Sequence, residues 1–220
     1  MPTYQSVSRV AKEATVPTGV ALRDAREQMF AAAERILLRD GPQALTSRAV
    51  TAEAGVAKGV LHRHFADFDA FLAELIEDRI ARIGGQAAVL RESAGTGTVA
   101  GNLAGVLSDV FSSVAVAIVA LITFRDDLRA RLRATTPRGV PLLTEAAAMV
   151  ASYLAVERDL GRIAADADVG TLAPTLLGAS HLLFADRTGA APEPEAVRKV
   201  VTTVIAGVIR DDIPGPVTSG

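Results

Sequence analysis

The chain is 220 residues long and half hydrophobic but only 4% aromatic, so a sizeable core must be built from Ala, Val, Leu and Ile. Cysteine is absent, which excludes disulfide staples and thiolate chemistry and suits a reducing cytoplasm. The net charge of −2 is unevenly spread: residues 1–65 carry nine Lys and Arg against six Asp and Glu, whereas residues 66–220 carry fourteen against nineteen.

Residues 1–19 mix Ser, Thr, Pro and small residues without periodicity and read as a flexible arm. No apolar run flanked by basic residues stands there, so no secretory signal is expected. From Leu22 the apolar positions step through Ala25, Met29, Ala32 or Ala33 and Ile36, one face of a helix. That helix should stop at Asp40, because Gly41 can take a left-handed cap and Pro42 cannot continue it. Thr46 is a good N-cap for a short second helix with Ala49, Val50 and Ala54 inward, ended by Gly55.

A third helix of about two turns is expected from Lys58 to His64. With Ala57 as a poor cap, Val56 and Leu61 have the spacing of a hydrophobic staple. Asp67 caps a fourth helix bearing Phe68, Phe71, Leu72, Leu75, Ile76, Ile80 and Ile83, with Gly84-Gly85 as its expected stop. Beyond the Gly/Thr-rich loop Ala94 to Thr98, further helices are expected near 99–122, 126–134, 141–160, 169–187 and 193–210. The longest apolar stretch, Val114 to Phe124, is about half of a bilayer span and reads as a core helix. No segment shows sustained period-two alternation, and no internal repeat is evident. The predicted fold is all-α: an arm over 1–19, a helix-turn-helix domain of three helices over 20–66, and a second helical domain over 67–220. A cytoplasmic protein with no membrane segment is expected.

Two short helices joined by a Gly turn form a geometry that lets the second enter a major groove. At about 100° per residue, Leu61 and Phe65 point inward, while Gly59 and Arg63 point outward between Lys58 and His62. Gly59 costs about 1 kcal/mol relative to Ala in a helix, which makes sense where the backbone must approach a phosphate or base edge. Lys58 and Arg63 suit phosphates or guanine, and His62 suits base edges. Thr46, Ser47 and Arg48 open the second helix, where backbone N–H groups and the dipole favour a phosphate. A solvated short helix with a flexible glycine is the plainer alternative.

The ordered run Leu45-Thr46, then Ala54-Gly55-Val56-Ala57-Lys58-Gly59-Val60-Leu61-His62-Arg63-His64-Phe65, resembles the helix-turn-helix signature of TetR-family regulators. Asp40-Gly41 before it and Asp67 to Leu72 after it fit the same pattern, so the resemblance covers roughly 21–75. The resemblance implies a homodimer that binds a palindromic double-stranded DNA operator, with contacts drawn from Thr46, Ser47, Arg48, Ala57, Lys58, Gly59, Val60, His62, Arg63 and His64. The family usually carries Ser or Thr at Ala57, Thr or Ser at Val60, Tyr at His62 and Lys at Phe68. Tyr and Lys there commonly touch phosphates; His62 can still do so and Phe68 cannot. Weaker anchoring on that side is expected, offset by Arg63 or by Arg9 and Lys12 of the arm.

By the same resemblance, the chain beyond about residue 75 dimerises and holds a ligand, and the segment Leu177 to Arg187 is similar to the family's C-terminal dimerisation helix. Two stripes at helical spacing, Leu172, Leu176, Ala179, Leu183 and Val197, Val201, Val204, Val208, would give a four-helix interface with a two-fold axis. Ordinary intramolecular core explains any one of them equally well. Phe111, Ile118, Met149, Tyr153, His181 and Phe184 are the few large or polar-tipped residues of these helices, and they suit an apolar or aromatic small molecule. A lone His among apolar neighbours is more often a satisfied core residue.

Other signals lead nowhere. Gly95-Thr96-Gly97 with Gly101 lacks phosphate-loop spacing, and His62 and His64 lie on different sides of a helix, so no metal site is expected. Arg125 to Arg133 reads as a solvated amphipathic turn. No catalytic constellation or cofactor motif stands out. A ligand-released repressor is the leading reading, a helical interaction protein with weak operator binding the alternative, and an all-α enzyme a distant third.

Overall fold

The computed structural model describes residues 19–111, 114–185 and 192–210, with side chains from residue 25 onward. The arm before residue 19, with Arg9 and Lys12, lies outside the described residues, as do the side chain of Leu22 and Arg187. Ten α-helices and no strand occur among the described residues. Helix α1 (Gly19–Arg39) leads through a 3-10 turn at Pro42–Ala44 into α2 (Ser47–Glu53), α3 (Gly59–His64) and α4 (Phe68–Glu92). Then follow α5 (Val99–Phe111), α6 (Ala115–Thr123), α7 (Asp126–Leu132), α8 (Leu143–Asp159), α9 (Val169–Phe184) and α10 (Pro194–Ile205).

Local chemistry sets the head. Gly41 closes α1 with φ 82°, the left-handed region a glycine enters without steric cost. The Thr46 hydroxyl accepts the Ala49 N–H at 3.1 Å and caps α2. At the other end of α2, the Gly55 N–H donates to Ala52 O and the Val56 N–H to Thr51 O. This is a Schellman closure, with Gly55 at φ 67°. Asp67 caps α4, its carboxylate accepting the Ala70 N–H at 2.6 Å.

Three sequence expectations change. Helix α4 runs through Gly84 and Gly85 to Glu92 instead of stopping there. Buried Ile83 and Leu90 hold both sides of the pair, and such packing outweighs about 1 kcal/mol per glycine. The single helix expected over 99–122 is two, α5 and α6. The third helix begins its hydrogen-bonded run at Gly59 with Lys58 as cap, not Ala57. Lys58 nevertheless has helical dihedrals, and Ala57 O accepts the Val60 N–H, so the start is a tight first turn.

One continuous core runs from Met29 in α1 to Ile205 in α10. The body is closed by α8 on α4 and α9, and by α10 on α5 and α9. The head is seated on the body: α6 packs against α1 and the 3-10 turn, and α7 packs against α4. Among the described residues one antiparallel bridge, Ile163 to Ile209, ties the loop after α8 to the segment that follows α10.

Candidate nucleic-acid interface and ligand site

Helix α3 has only six residues, too short to persist alone, so its orientation comes from what its inner side touches. Leu61 is fully buried and Phe65 nearly so, as expected. The Phe65 ring meets Phe71 edge-on at 5.1 Å and lies 6.0 Å from Phe30, which itself is 5.5 Å from Phe71. The guanidinium of Arg26 stands over Phe65 at 5.0 Å and is paired with Glu74 of α4. Val56 packs half-buried against the same core, but with Lys58 as the cap it stands one position ahead of where a staple residue would be.

The outward side is the one read from the sequence. Lys58, Gly59, His62 and Arg63 are exposed, as are Ala57, Thr46 and Arg48. Other head arginines are neutralised, Arg35 and Arg39 by Glu53 and Arg26 by Glu74. Hydrogen bonds from Arg35, and then from Arg39, hold the Glu53 carboxyl below its ordinary pKa. By contrast, Arg48, Lys58 and Arg63 make no ion pair among the described residues. Their charges are therefore free to meet an anion.

Three expected contacts are less open. Val60 is half-buried against the core, Ser47 is half-buried, and His64 is half-buried with its ring 6.2 Å from Phe65. The Thr46 hydroxyl is occupied by its own helix. An added Cβ at Gly59 would meet nothing within 4 Å, so nothing in the protein itself requires glycine there.

Phe68 has a second use. Its ring stacks on Phe71 at 5.6 Å, and the Arg125 guanidinium stands over it at 5.7 Å. Arg125 also binds Asp69, and Arg131 binds Asp67, each at 2.8 Å. The segment Arg125 to Arg133 is thus not simply a solvated face. The Ala70 N–H, followed by Arg131, lowers the Asp67 carboxyl from its ordinary pKa.

The six expected ligand residues separate into groups. Phe111, His181 and Phe184 come together, with Phe111 5.9 Å from both other rings. His181 Nδ1 is buried without a hydrogen-bond partner among the described residues, and burial lowers its pKa. Ile118 and Met149 are core residues. Tyr153 is also in the core, and its hydroxyl accepts from Asn102 Nδ2 at 3.0 Å. Burial first, then the neighbouring Glu157 carboxylate, pushes that phenol above its ordinary pKa. Glu157 is fully buried beside Arg162, whose guanidinium donates to Gly97 O, so Tyr153 belongs to a structural network. An open cleft of about 410 Å³ includes Thr123, Arg129, Arg133 and Thr136 among its walls. The i, i+4 spacing of its two arginines was the only trace in the sequence.

The expected dimer stripes are largely internal. Leu176, Val197 and Val201 are buried within the protomer because α9 and α10 pack on the same core, while Leu172, Ala179, Leu183, Val204 and Val208 are half-buried. The outward residues of α9 are Gly170, Thr171, Pro174, Thr175, Gly178 and Leu182, the last 76% exposed.

Residues 30–75 match the family model described as bacterial regulatory proteins, tetR family. Over these residues the chain carries a domain of the tetR family. The match runs from α1 into α4 and contains the whole exposed face of α3. Among solved structures, a tetR-family regulator from Mesorhizobium loti superposes with TM-score 0.63 at 16% identity, covering 86% of this chain and 98% of its own. A gamma-butyrolactone receptor described as ArpA-like gives TM-score 0.55 at 19% identity over 86% of this chain and 90% of its own. FadR from Bacillus subtilis, in complex with stearoyl-CoA, gives 0.62 at 16% over 82% and 98%. These likenesses establish that the fold extends beyond the tetR-family head into the body. No curated protein matches the chain. No single described helix is long and apolar enough to cross a membrane.

Proposed function

We propose that this tetR-family protein is a cytoplasmic, ligand-responsive repressor that binds a palindromic operator as a homodimer and is released by an apolar small molecule. The observation that carries this reading is the exposed face Arg48, Lys58, Gly59, His62 and Arg63, unneutralised and held on a buried aromatic base. Such a face suits phosphate and base-edge contacts in a major groove. Two heads are needed to read a palindrome, and the outward side of α9 around Gly178 and Leu182 is the surface we assign to the second copy.

The small-molecule half of the proposal draws support from the family and from the Phe111–His181–Phe184 cluster. Two structures of similar fold are a gamma-butyrolactone receptor and a FadR in complex with stearoyl-CoA, the latter ligand carrying a long apolar acyl chain. A ligand changes operator affinity only through unequal binding to the two head arrangements.

The test is recovery of genomic fragments on the purified protein, followed by titration of a recovered fragment at several salt concentrations. Affinity should fall steeply as salt rises, since phosphate contacts release counterions. No retained fragment, or binding indifferent to salt, would leave the alternative of a helical interaction protein.

A further inference from the structure

The base of α4 is gripped from the body by two arginines of one segment. Arg131 of α7 pairs with Asp67, the N-cap of α4, and Arg125 pairs with Asp69 in its first turn. Arg125 also stands over Phe68, the first residue of α4. From there an aromatic series leads inward: Phe68 stacks on Phe71, Phe71 meets Phe65, and Phe65 is the C-cap that closes α3. The far side of Phe65 is covered by Phe30 and Arg26 of α1. A ring changes its tilt only by moving the rings packed on it, so this is a continuous physical link between α7 and the exposed face of α3.

We infer that Arg125 and Arg131 are positioning residues for DNA binding, seating the first turn of α4 so that Phe68, Phe71 and Phe65 hold α3 at its working angle. This rests on the DNA-binding reading above. Isolated surface pairs contribute little. Here two pairs and one cation–aromatic contact converge on three consecutive residues, Asp67 to Asp69, and none of these contacts is made within the head itself. The arrangement also gives Phe68 a role as the docking surface for Arg125. An arginine tied to a carboxylate and resting on a ring is not free to neutralise a phosphate. The seat therefore acts through geometry, without adding charge to the interface.

Three measurements test it on the full-length protein, using as probe a labelled duplex of the DNA upstream of its own gene, or a genomic fragment that the wild type retains. Wild-type binding that falls with salt must be seen first; its absence removes the DNA reading itself. Given that binding, the double variant Arg125→Ala, Arg131→Ala should bind about ten-fold more weakly with an unchanged salt slope. Hydrogen exchange of the amides over residues 59–65 should quicken while the body helices keep their protection. Wild-type affinity in the double variant overturns the proposal. So does a slope reduced by about one unit per arginine, which would make them phosphate contacts. The exchanged pair Arg125→Asp, Asp69→Arg should recover part of the affinity. Should the double variant fail to fold, Phe68→Leu keeps the apolar packing and removes the stack. Affinity equal to wild type in that variant also refutes the seat.

Discussion

Replacing Gly59 by alanine separates the needs of the fold from those of the interface. Gly59 opens α3 and is exposed, and a Cβ placed on it would meet nothing within 4 Å. Its φ is not in the left-handed region, so alanine fits without strain. The substitution removes glycine's excess unfolded-state freedom and should stabilise the protein by about 0.5 kcal/mol. At about 2.1 cal/mol/K of unfolding entropy per residue, a chain of 220 residues should gain roughly 1 °C in Tm. DNA affinity should move the other way. If the backbone at Gly59 approaches a phosphate or base edge, the methyl group displaces α3 from the groove, and a loss of about 1.4 kcal/mol corresponds to ten-fold weaker binding. Calorimetric unfolding and fluorescence anisotropy with a retained DNA fragment read the two effects on one preparation. A variant that is more stable and binds as tightly as wild type refutes the close-approach reasoning, leaving Gly59 an ordinary exposed residue.

Lys58→Ala and Arg63→Ala should each weaken binding and lower the salt slope by about one unit where the lost group met a phosphate; gel shifts across a salt series decide it, and undiminished binding in both removes these contacts. Leu61→Ala empties a fully buried site and should cost about 2–5 kcal/mol, visible in urea unfolding; a cost below 1 kcal/mol would mean α3 is not held by its core side. If the proposed homodimer forms through α9, Leu182→Arg should leave a monomer in light scattering, and a dimer that persists in the variant would move the interface off the outward side of α9. The Asp67 carboxyl is held below its ordinary pKa by the Ala70 N–H and then by Arg131. Its contribution is thus present above the unfolded carboxyl value of about 3.9 and is lost as pH falls through the lower folded value. A carboxyl titration by NMR should place Asp67 beneath the unfolded value, and a midpoint at or above that value contradicts the capped, paired geometry.

The head was legible because its determinants are local. Gly41, Thr46, Gly55 and Asp67 each end or begin an element through a bond to a residue at most five positions away. The inward pair Leu61 and Phe65 follows from helical spacing alone. What escaped the sequence depends on partners far along the chain. Arg125 finds Asp69 and Arg131 finds Asp67 across more than fifty residues, and Tyr153 finds Asn102 across a similar gap. No periodicity announces such pairs, so a charged turn looked solvated and a buried phenol looked like a ligand contact. The Gly84-Gly85 pair misled for the same reason, since the packing that carries α4 through it comes from other helices. In the stripes of α9 and α10, spacing identified the apolar side correctly. It could not say whether that side meets the same chain or a second copy.

Four of the seven phenylalanines, Phe30, Phe65, Phe68 and Phe71, stand in one cluster beneath α3. In a chain this poor in aromatics, the rings are concentrated where a six-residue helix has the least means of holding itself. Large flat side chains with few rotamers fix an angle better than the Ala, Val and Leu that fill the body. The orientation of the exposed face is therefore set by α1 and α4, and by α7 through α4, while α3 buries Leu61, is closed by buried Phe65 and presents Gly59, His62 and Arg63. That division separates the residues that read from those that aim. Ala57 and His62 stand exposed where the family usually has Ser or Thr and Tyr, so those differences alter what is offered to a groove and leave the base beneath untouched. Phe68 stands in the base itself, and a change there should alter how α3 is aimed.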